Sequence, residues 1–164
     1  MTHPARLAAA AFVLVVLLSA CGSGKIDDPF QRQRLTEIKQ ATAKYKSLNA
    51  ALVDGYRPLP RCMDELGLEY LQLDLSGDRE LDLLTPEQLF YRQPPDGGPP
   101  VLEAVGYFVP DEGQKSPRSP LGHLDGPVPG QFKGESAHFE LHVWVYDRNP
   151  DGVLAFFNPN VTCP

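Results

Sequence analysis

The chain has 164 residues, a length for which one domain with a sizeable core is the natural count. Its 15 Lys and Arg stand against 21 Asp and Glu, a formal charge of −6, and an acidic surface of this kind argues against nucleic acid and anionic lipid headgroups as partners. With Gly at 14 and Pro at 17, many turns, long loops and little helix are expected.

In chain order the first predicted element is an export signal. Arg6 precedes an apolar run from Leu7 to Leu18, which ends in Leu18-Ser19-Ala20-Cys21, the tripartite layout of a secretory signal. A run of about 12 residues falls short of the roughly 20 that cross a bilayer, so it directs export and does not span. The closing tetrapeptide resembles the bacterial lipobox, with an aliphatic residue at Leu18 and small residues at Ser19 and Ala20 before the cysteine. That resemblance implies cleavage of residues 1–20 as a lipoprotein signal peptide, acylation of Cys21 with palmitate-type chains, and an anchor on the extracytoplasmic side of the cell membrane. The alternative is an ordinary cleaved signal with a chance cysteine at its end. Acylation contributes roughly 0.8 kcal/mol per buried CH₂, so two or three chains hold a protein stably without a membrane-spanning helix. Residues 21–28, opening with Gly22-Ser23-Gly24-Lys25, read as a flexible tether, and residues 29–164 as a single globular domain.

Lipidation of Cys21 leaves Cys62 and Cys163. In an oxidising compartment such a pair is expected as a disulfide, which would tie the C-terminal end of the chain to the region after the first helix. Two free thiols are the alternative.

Asp28-Pro29 reads as an N-cap followed by proline in the first helical turn. Leu35, Ile38, Ala41, Tyr45, Leu48 and Leu52 recur at three- and four-residue steps, with Lys39, Lys44 and Lys46 on the other side, so one amphipathic helix is predicted as far as Gly55. Tyr56-Arg57-Pro58-Leu59-Pro60 should then run extended. Beyond Cys62 the period changes to two, with strands predicted over Leu68–Leu73, Gln88–Arg92, Val101–Val109 and His138–Tyr146, and a last strand over Val153–Phe157. In the third of these, Val101, Val105, Tyr107 and Val109 are assigned to one face. Asp96-Gly97-Gly98 suits a hairpin tip. The stretch from Pro110 to Ser136, with Pro117, Pro120, Pro127 and Pro129, shows no periodicity and is expected to be a long loop of the kind used as a lid or binding loop. The fold class expected is α+β: one N-terminal amphipathic helix packed on a small, mainly antiparallel sheet with long Pro/Gly-rich loops.

The segment His138–Tyr146 holds the residues most suited to chemistry. On a strand, Phe139, Leu141, Val143 and Val145 face the core, while His138, Glu140, His142, Trp144 and Tyr146 share the other face. A polar and aromatic face of this sort can line a small-molecule pocket, and it equally suits a half-buried sheet face whose histidines pack and hydrogen-bond. His138 and His142 cannot share a metal ion on their own, because four strand steps of about 3.3 Å separate them by roughly 13 Å while ligands lie near 2.1 Å. The order of residues also departs from the helical His-Glu-x-x-His zinc motif. A metal would therefore need ligands from a neighbouring strand. Asp74, Ser76, Asp78, Glu80 and Asp82 alternate like a calcium loop but lack the glycine and the closing glutamate that such a loop requires. Asn160-Val161-Thr162 matches a glycosylation sequon, which says little for a bacterial envelope protein. Phosphate-cradling Gly-rich loops, Cys-x-x-Cys pairs and Gly-x-Ser-x-Gly elbows are absent from the sequence, and no resident cofactor is expected.

Asp54-Gly55-Tyr56, Val105-Gly106-Tyr107-Phe108-Val109-Pro110, Leu141-His142-Val143-Trp144 and the closing stretch from Asn149-Pro150 to Asn158-Pro159-Asn160-Val161-Thr162-Cys163-Pro164 together resemble an uncharacterised family of exported bacterial, mainly actinobacterial, proteins and lipoproteins. The resemblance covers most of the chain after Cys21. It implies an envelope location and assigns no activity. Gly67-Leu68-Glu69-Tyr70 stands where that family has Gly-x-His-Tyr, so a shared metal chemistry would require Glu69 beside His138 or His142. Two functions are expected from these readings: a membrane-anchored, non-catalytic binding or structural module for an envelope protein or small molecule, or an envelope metal-binding or hydrolase-like protein built on the His/Glu face.

Overall fold

The computed structural model describes residues 28–77, 79–131 and 134–164. The expected signal peptide, Cys21 and the tether up to residue 27 lie outside the described residues. The described part is mixed α and β, with few helices and a mainly antiparallel sheet of six strands.

Asp28 accepts a hydrogen bond from the Phe30 amide at 3.0 Å and opens α1 (Pro29–Ala41). The apolar stripe expected to run unbroken to Gly55 is divided into α1, a 3₁₀ turn over Ala43–Lys46 and α2 (Leu48–Val53). Thr42 sits at the first break. Its buried hydroxyl lies 2.7 Å from the Ile38 carbonyl, a back-bond that bends helices, and 2.8 Å from the Tyr146 hydroxyl. Gly55, at a φ of 95°, ends the helical stretch in a conformation that favours glycine.

The remaining strands are β1 (Arg57–Met63), β2 (Gly67–Leu71), β3 (Gln88–Arg92), β4 (Val101–Pro110), β5 (Arg118–Ser119), β6 (Gly122–His123), β7 (Asp125–Val128) and β8 (His138–Val143). The large sheet has the order β1-β2-β3-β4-β8-β7, with every neighbouring pair antiparallel, and β5 and β6 form a separate two-stranded ribbon. Both edge strands of the large sheet carry proline, Pro58 and Pro60 in β1 and Pro127 in β7, where a missing N–H removes no ladder bond and discourages further pairing.

The sheet is buried on both faces. Ile38, Tyr45 and Ala51 from the helical segment cover one face, against Leu89, Tyr91, Val105, Tyr107, Leu141 and Val143. Tyrosine hydroxyls pin the connections to this core: Tyr91 donates to the Tyr45 carbonyl and Tyr107 to the Leu83 carbonyl, both at 2.7 Å. Leu66, Phe90, Ala104, Trp144 and Val161 form a smaller apolar cluster on the other face.

A bulge in β4 corrects the expected face assignment. Tyr91 pairs with Leu102 and Phe90 with Ala104, which leaves Glu103 as the extra residue. Leu102 therefore joins Val105, Tyr107 and Val109 in the helix-side core, and Val101 is 44% exposed. The bulged carbonyl of Glu103 accepts from the amides of Tyr146 at 3.1 Å and Asp147 at 3.3 Å, so the chain after β8 is drawn toward the helices.

Two further expectations fail. The Pro110–Ser136 loop contains β5, β6 and β7, and β7 pairs with β8 in the main sheet. Val153–Phe157 is not a strand. It begins a C-terminal strap laid over the second face, held by Trp144 N to the Val153 carbonyl, Asn158 N to the Glu65 carbonyl and Glu65 N to the Val161 carbonyl, at 2.8, 2.9 and 2.8 Å. A disulfide between Cys62 and Cys163, with Cα atoms 5.9 Å apart, fastens the far end of the strap to β1.

Candidate functional site

The polar face expected on β8 exists and is buried. His138, Glu140 and His142 project from alternate positions of the strand, and with Glu69 from β2 and Gln88 from β3 they are all 2% exposed or less. Glu69 and Glu140 belong to strands separated by two others, yet one side chain joins them: Gln88 Nε2 donates to Glu69 Oε1 at 3.0 Å and to Glu140 Oε1 at 2.8 Å.

Gly106 makes that span possible. In register it lies between Gln88 on β3 and His142 on β8, and a Cβ placed there would come within 2.4 Å of Gln88 Oε1 and 2.8 Å of Phe90 Cε2. The strand leaves a gap one side chain wide, and the Gln88 amide fills it.

Glu140 is clasped by both histidines. His138 Nε2 lies 2.9 Å from Oε1, and His142 Nε2 lies 3.4 Å from Oε2, close enough for charge attraction and long for a hydrogen bond. The other ring nitrogens face backbone carbonyls, His138 Nδ1 that of Ser136 at 3.0 Å and His142 Nδ1 that of Phe156, in the strap, at 2.6 Å. Aromatic rings wall the histidines: Phe108 stacks on His138 with centroids 4.0 Å apart, and Phe90 and Phe156 flank His142 at 4.5 and 4.4 Å.

This environment sets the charges. Burial opposes ionisation of Glu140, but the hydrogen bond with His138 and the attraction of His142 prevail and hold it well below the usual carboxylate range. Burial also opposes charging of the two histidines, and the Glu140 carboxylate outweighs it and raises both. Burial, followed by the neighbouring Glu140 charge, pushes Glu69 up to about 7. Glu69 Oε2, Gln88 Oε1 and His142 Nε2 lack a hydrogen-bond partner within the described structure.

The structure thus brings Glu69, His138, Glu140 and His142 together, with Trp144 at the end of the same face. Trp144 stacks on Phe90 at 6.4 Å and donates from Nε1 to the Ala155 carbonyl of the strap at 2.8 Å. Tyr146 does not belong to this face. Drawn away by the bulge, it packs on the helix side, where its hydroxyl donates to the Lys39 carbonyl at 2.9 Å and its ring lies 5.6 Å from Lys39 Nζ and 5.3 Å from Lys46 Nζ. Sequence reasoning missed Gln88 and Phe156. The signal that points to Gln88 is Gly106, a glycine in a run of large apolar strand residues, which is the usual mark of a close approach.

Chemically the cluster can hold and move protons. A hydroxyl or thiol nucleophile is not among its members, and among the described residues no three His, Cys, Asp or Glu side chains are placed to hold a metal ion. A pocket of about 360 Å³ is lined in part by Phe108, whose ring stacks on His138, and by Glu135 and Ser136. Compared with models of protein families, with curated proteins and with solved structures, the chain matches none of them.

Proposed function

We propose that this chain is a lipid-anchored protein of the bacterial cell envelope, tethered through acylated Cys21 on the outer side of the cell membrane, whose folded domain is a non-catalytic binding or structural module. The observation that carries this reading is the Cys62–Cys163 disulfide, because such bonds persist in oxidising compartments and the pairing leaves Cys21 as the one cysteine free for lipid. The strap that this bond fastens also covers the residues best suited to chemistry, which supports a module in preference to an enzyme. In this reading the amphipathic N-terminal helix, packed on the sheet, joins the tether to the domain. The partner is an envelope protein or a small molecule.

The test is metabolic labelling with a fatty acid in a bacterial host that processes lipoproteins. The full chain should take up label and fractionate with membranes, and Cys21→Ser should do neither. Label retained in Cys21→Ser would overturn the anchor.

A further inference from the structure

All four ring nitrogens of the two buried histidines face oxygen atoms. Nδ1 of His138 and of His142 face the carbonyls of Ser136 and Phe156, which can only accept, so each of these nitrogens carries a hydrogen. Both Nε2 atoms face oxygens of Glu140: His138 Nε2 shares a proton with Oε1 across 2.9 Å, while His142 Nε2, 3.4 Å from Oε2, makes no hydrogen bond but lies within ion-pair distance, so the carboxylate charge favours a proton on it. With that nitrogen protonated the trio holds four protons and a net charge of +1, one proton more than a neutral His, an imidazolium and a carboxylate would hold together. One of these bonds crosses to a separate piece of chain: His142 Nδ1–H to Phe156 ties β8 to the C-terminal strap.

We infer that the cluster is a proton-operated clasp, in which doubly protonated His142 holds the strap closed over the second face of the sheet and loss of that proton loosens it. A neutral His142 must leave a lone pair facing either the Phe156 carbonyl or the Glu140 carboxylate, and both contacts are repulsive in a site that water does not reach. With the strap lifted the Phe156 acceptor is gone and water screens the Glu140 charge, and because these two interactions outweigh the cost of burial in the closed form, the open form binds the proton less tightly. Rising pH consequently favours opening.

The charged surroundings act in the same sense. On β8, Glu140 lies beside the ring and carries His138 on its other oxygen, and Glu69 on β2 adds a carboxyl. Glu135, before β8, acts on His138 and on Glu69. Asp125 on β7 stands opposite Glu140 in register and is exposed, while β3 and β4 present the uncharged Gln88, Gly106 and Phe108. The strap presents Phe156 and Phe157, and the directions for both histidines, upward, agree with the proton count.

Two measurements on the folded domain test this independently of the anchor. Ring-nitrogen NMR of histidine-labelled protein near neutral pH should show both nitrogens of His142 protonated, and a neutral tautomer there would overturn the proposal. Hydrogen exchange from pH 5.5 to 9 should show amides that close the strap, those of Trp144 and Asn158, losing protection relative to β3 and β4. The change should approach about tenfold per pH unit once His142 begins to titrate. A strap-to-sheet protection ratio that stays constant across this range would overturn it. In His142→Gln an amide that cannot titrate replaces the ring, and the ratio should become independent of pH. If that variant does not fold, the wild-type profile decides alone.

Discussion

A Cβ at residue 106 would meet Gln88 Oε1 at 2.4 Å and Gln88 Cβ at 2.9 Å, so the absence of a side chain there is what lets one amide reach from Glu69 to Glu140. Neither contact is with the loose end of an exposed chain, because Gln88 and Phe90 are both buried. Gly106→Ala should cost about 1–3 kcal/mol, the usual penalty for overpacking a well-filled core, measured as a lower midpoint in urea. It should also separate Gln88 from Glu140. The residue types of this site were legible in the sequence: period-two alternation placed His138, Glu140 and His142 on one face, and resemblance singled out Glu69. Their burial was not legible, since alternation distinguishes two faces but does not say that a segment distant in the chain covers the second. Gln88 escaped notice because a polar residue at the start of a strand ordinarily points to solvent.

The strap shows why an apolar run is ambiguous at the level of elements. Val153, Leu154, Ala155, Phe156 and Phe157 have strand-like composition, yet side chains take their carbonyls: Trp144 Nε1 bonds Ala155, His142 Nδ1 bonds Phe156 and Asn149 Nδ2 bonds Phe157. A period in sequence reports which residues are apolar and not who satisfies the backbone. Trp144→Phe keeps the aromatic body against Phe90 and removes the donor, so it should destabilise by about 1 kcal/mol and increase hydrogen exchange over residues 153–158 more than over β3. Elsewhere the outcome followed local signals. The Gln88–Arg92 strand lies where alternation placed it, whereas Asp125-Gly126-Pro127-Val128 has turn composition and becomes an edge strand because β8 offers it a free ladder. The bulge at Glu103 left no mark in the pattern, since Leu102 and Val101 are both apolar and either could have faced the core. One consequence of that bulge is the divided fate of Trp144 and Tyr146, two residues that strict alternation would keep together.

At the scale of the molecule, a link across a sequence separation of 101 residues and a buried cluster of four ionisable groups act on the same strap. The disulfide limits the unfolded chain, an effect worth up to about 4.7 kcal/mol for a loop near 100 residues, and it does so at any pH at which it stays oxidised. The cluster adds a dependence on protons whose sign follows from each shift. Glu140 is held low, so its contribution is present above about 4.5, its ordinary value, and is lost as pH falls through its folded value. His138 and His142 are raised, so their contribution is present below 6.5 and is lost as pH rises through their folded values. Glu69, raised to about 7 from 4.5, binds its proton more tightly in the fold, and stability therefore declines as pH climbs between those two values. Three of the four groups favour the protonated fold, so thermal melts with the disulfide intact should give the highest Tm in mildly acid solution, near pH 5, with a fall toward pH 8. Glu69→Gln removes one group and keeps its hydrogen-bonding shape. It should flatten the profile between 4.5 and 7 while leaving the alkaline fall that belongs to the histidines. A wild-type Tm that rises from pH 5 to pH 8 would show that the cluster does not carry the protons its geometry favours.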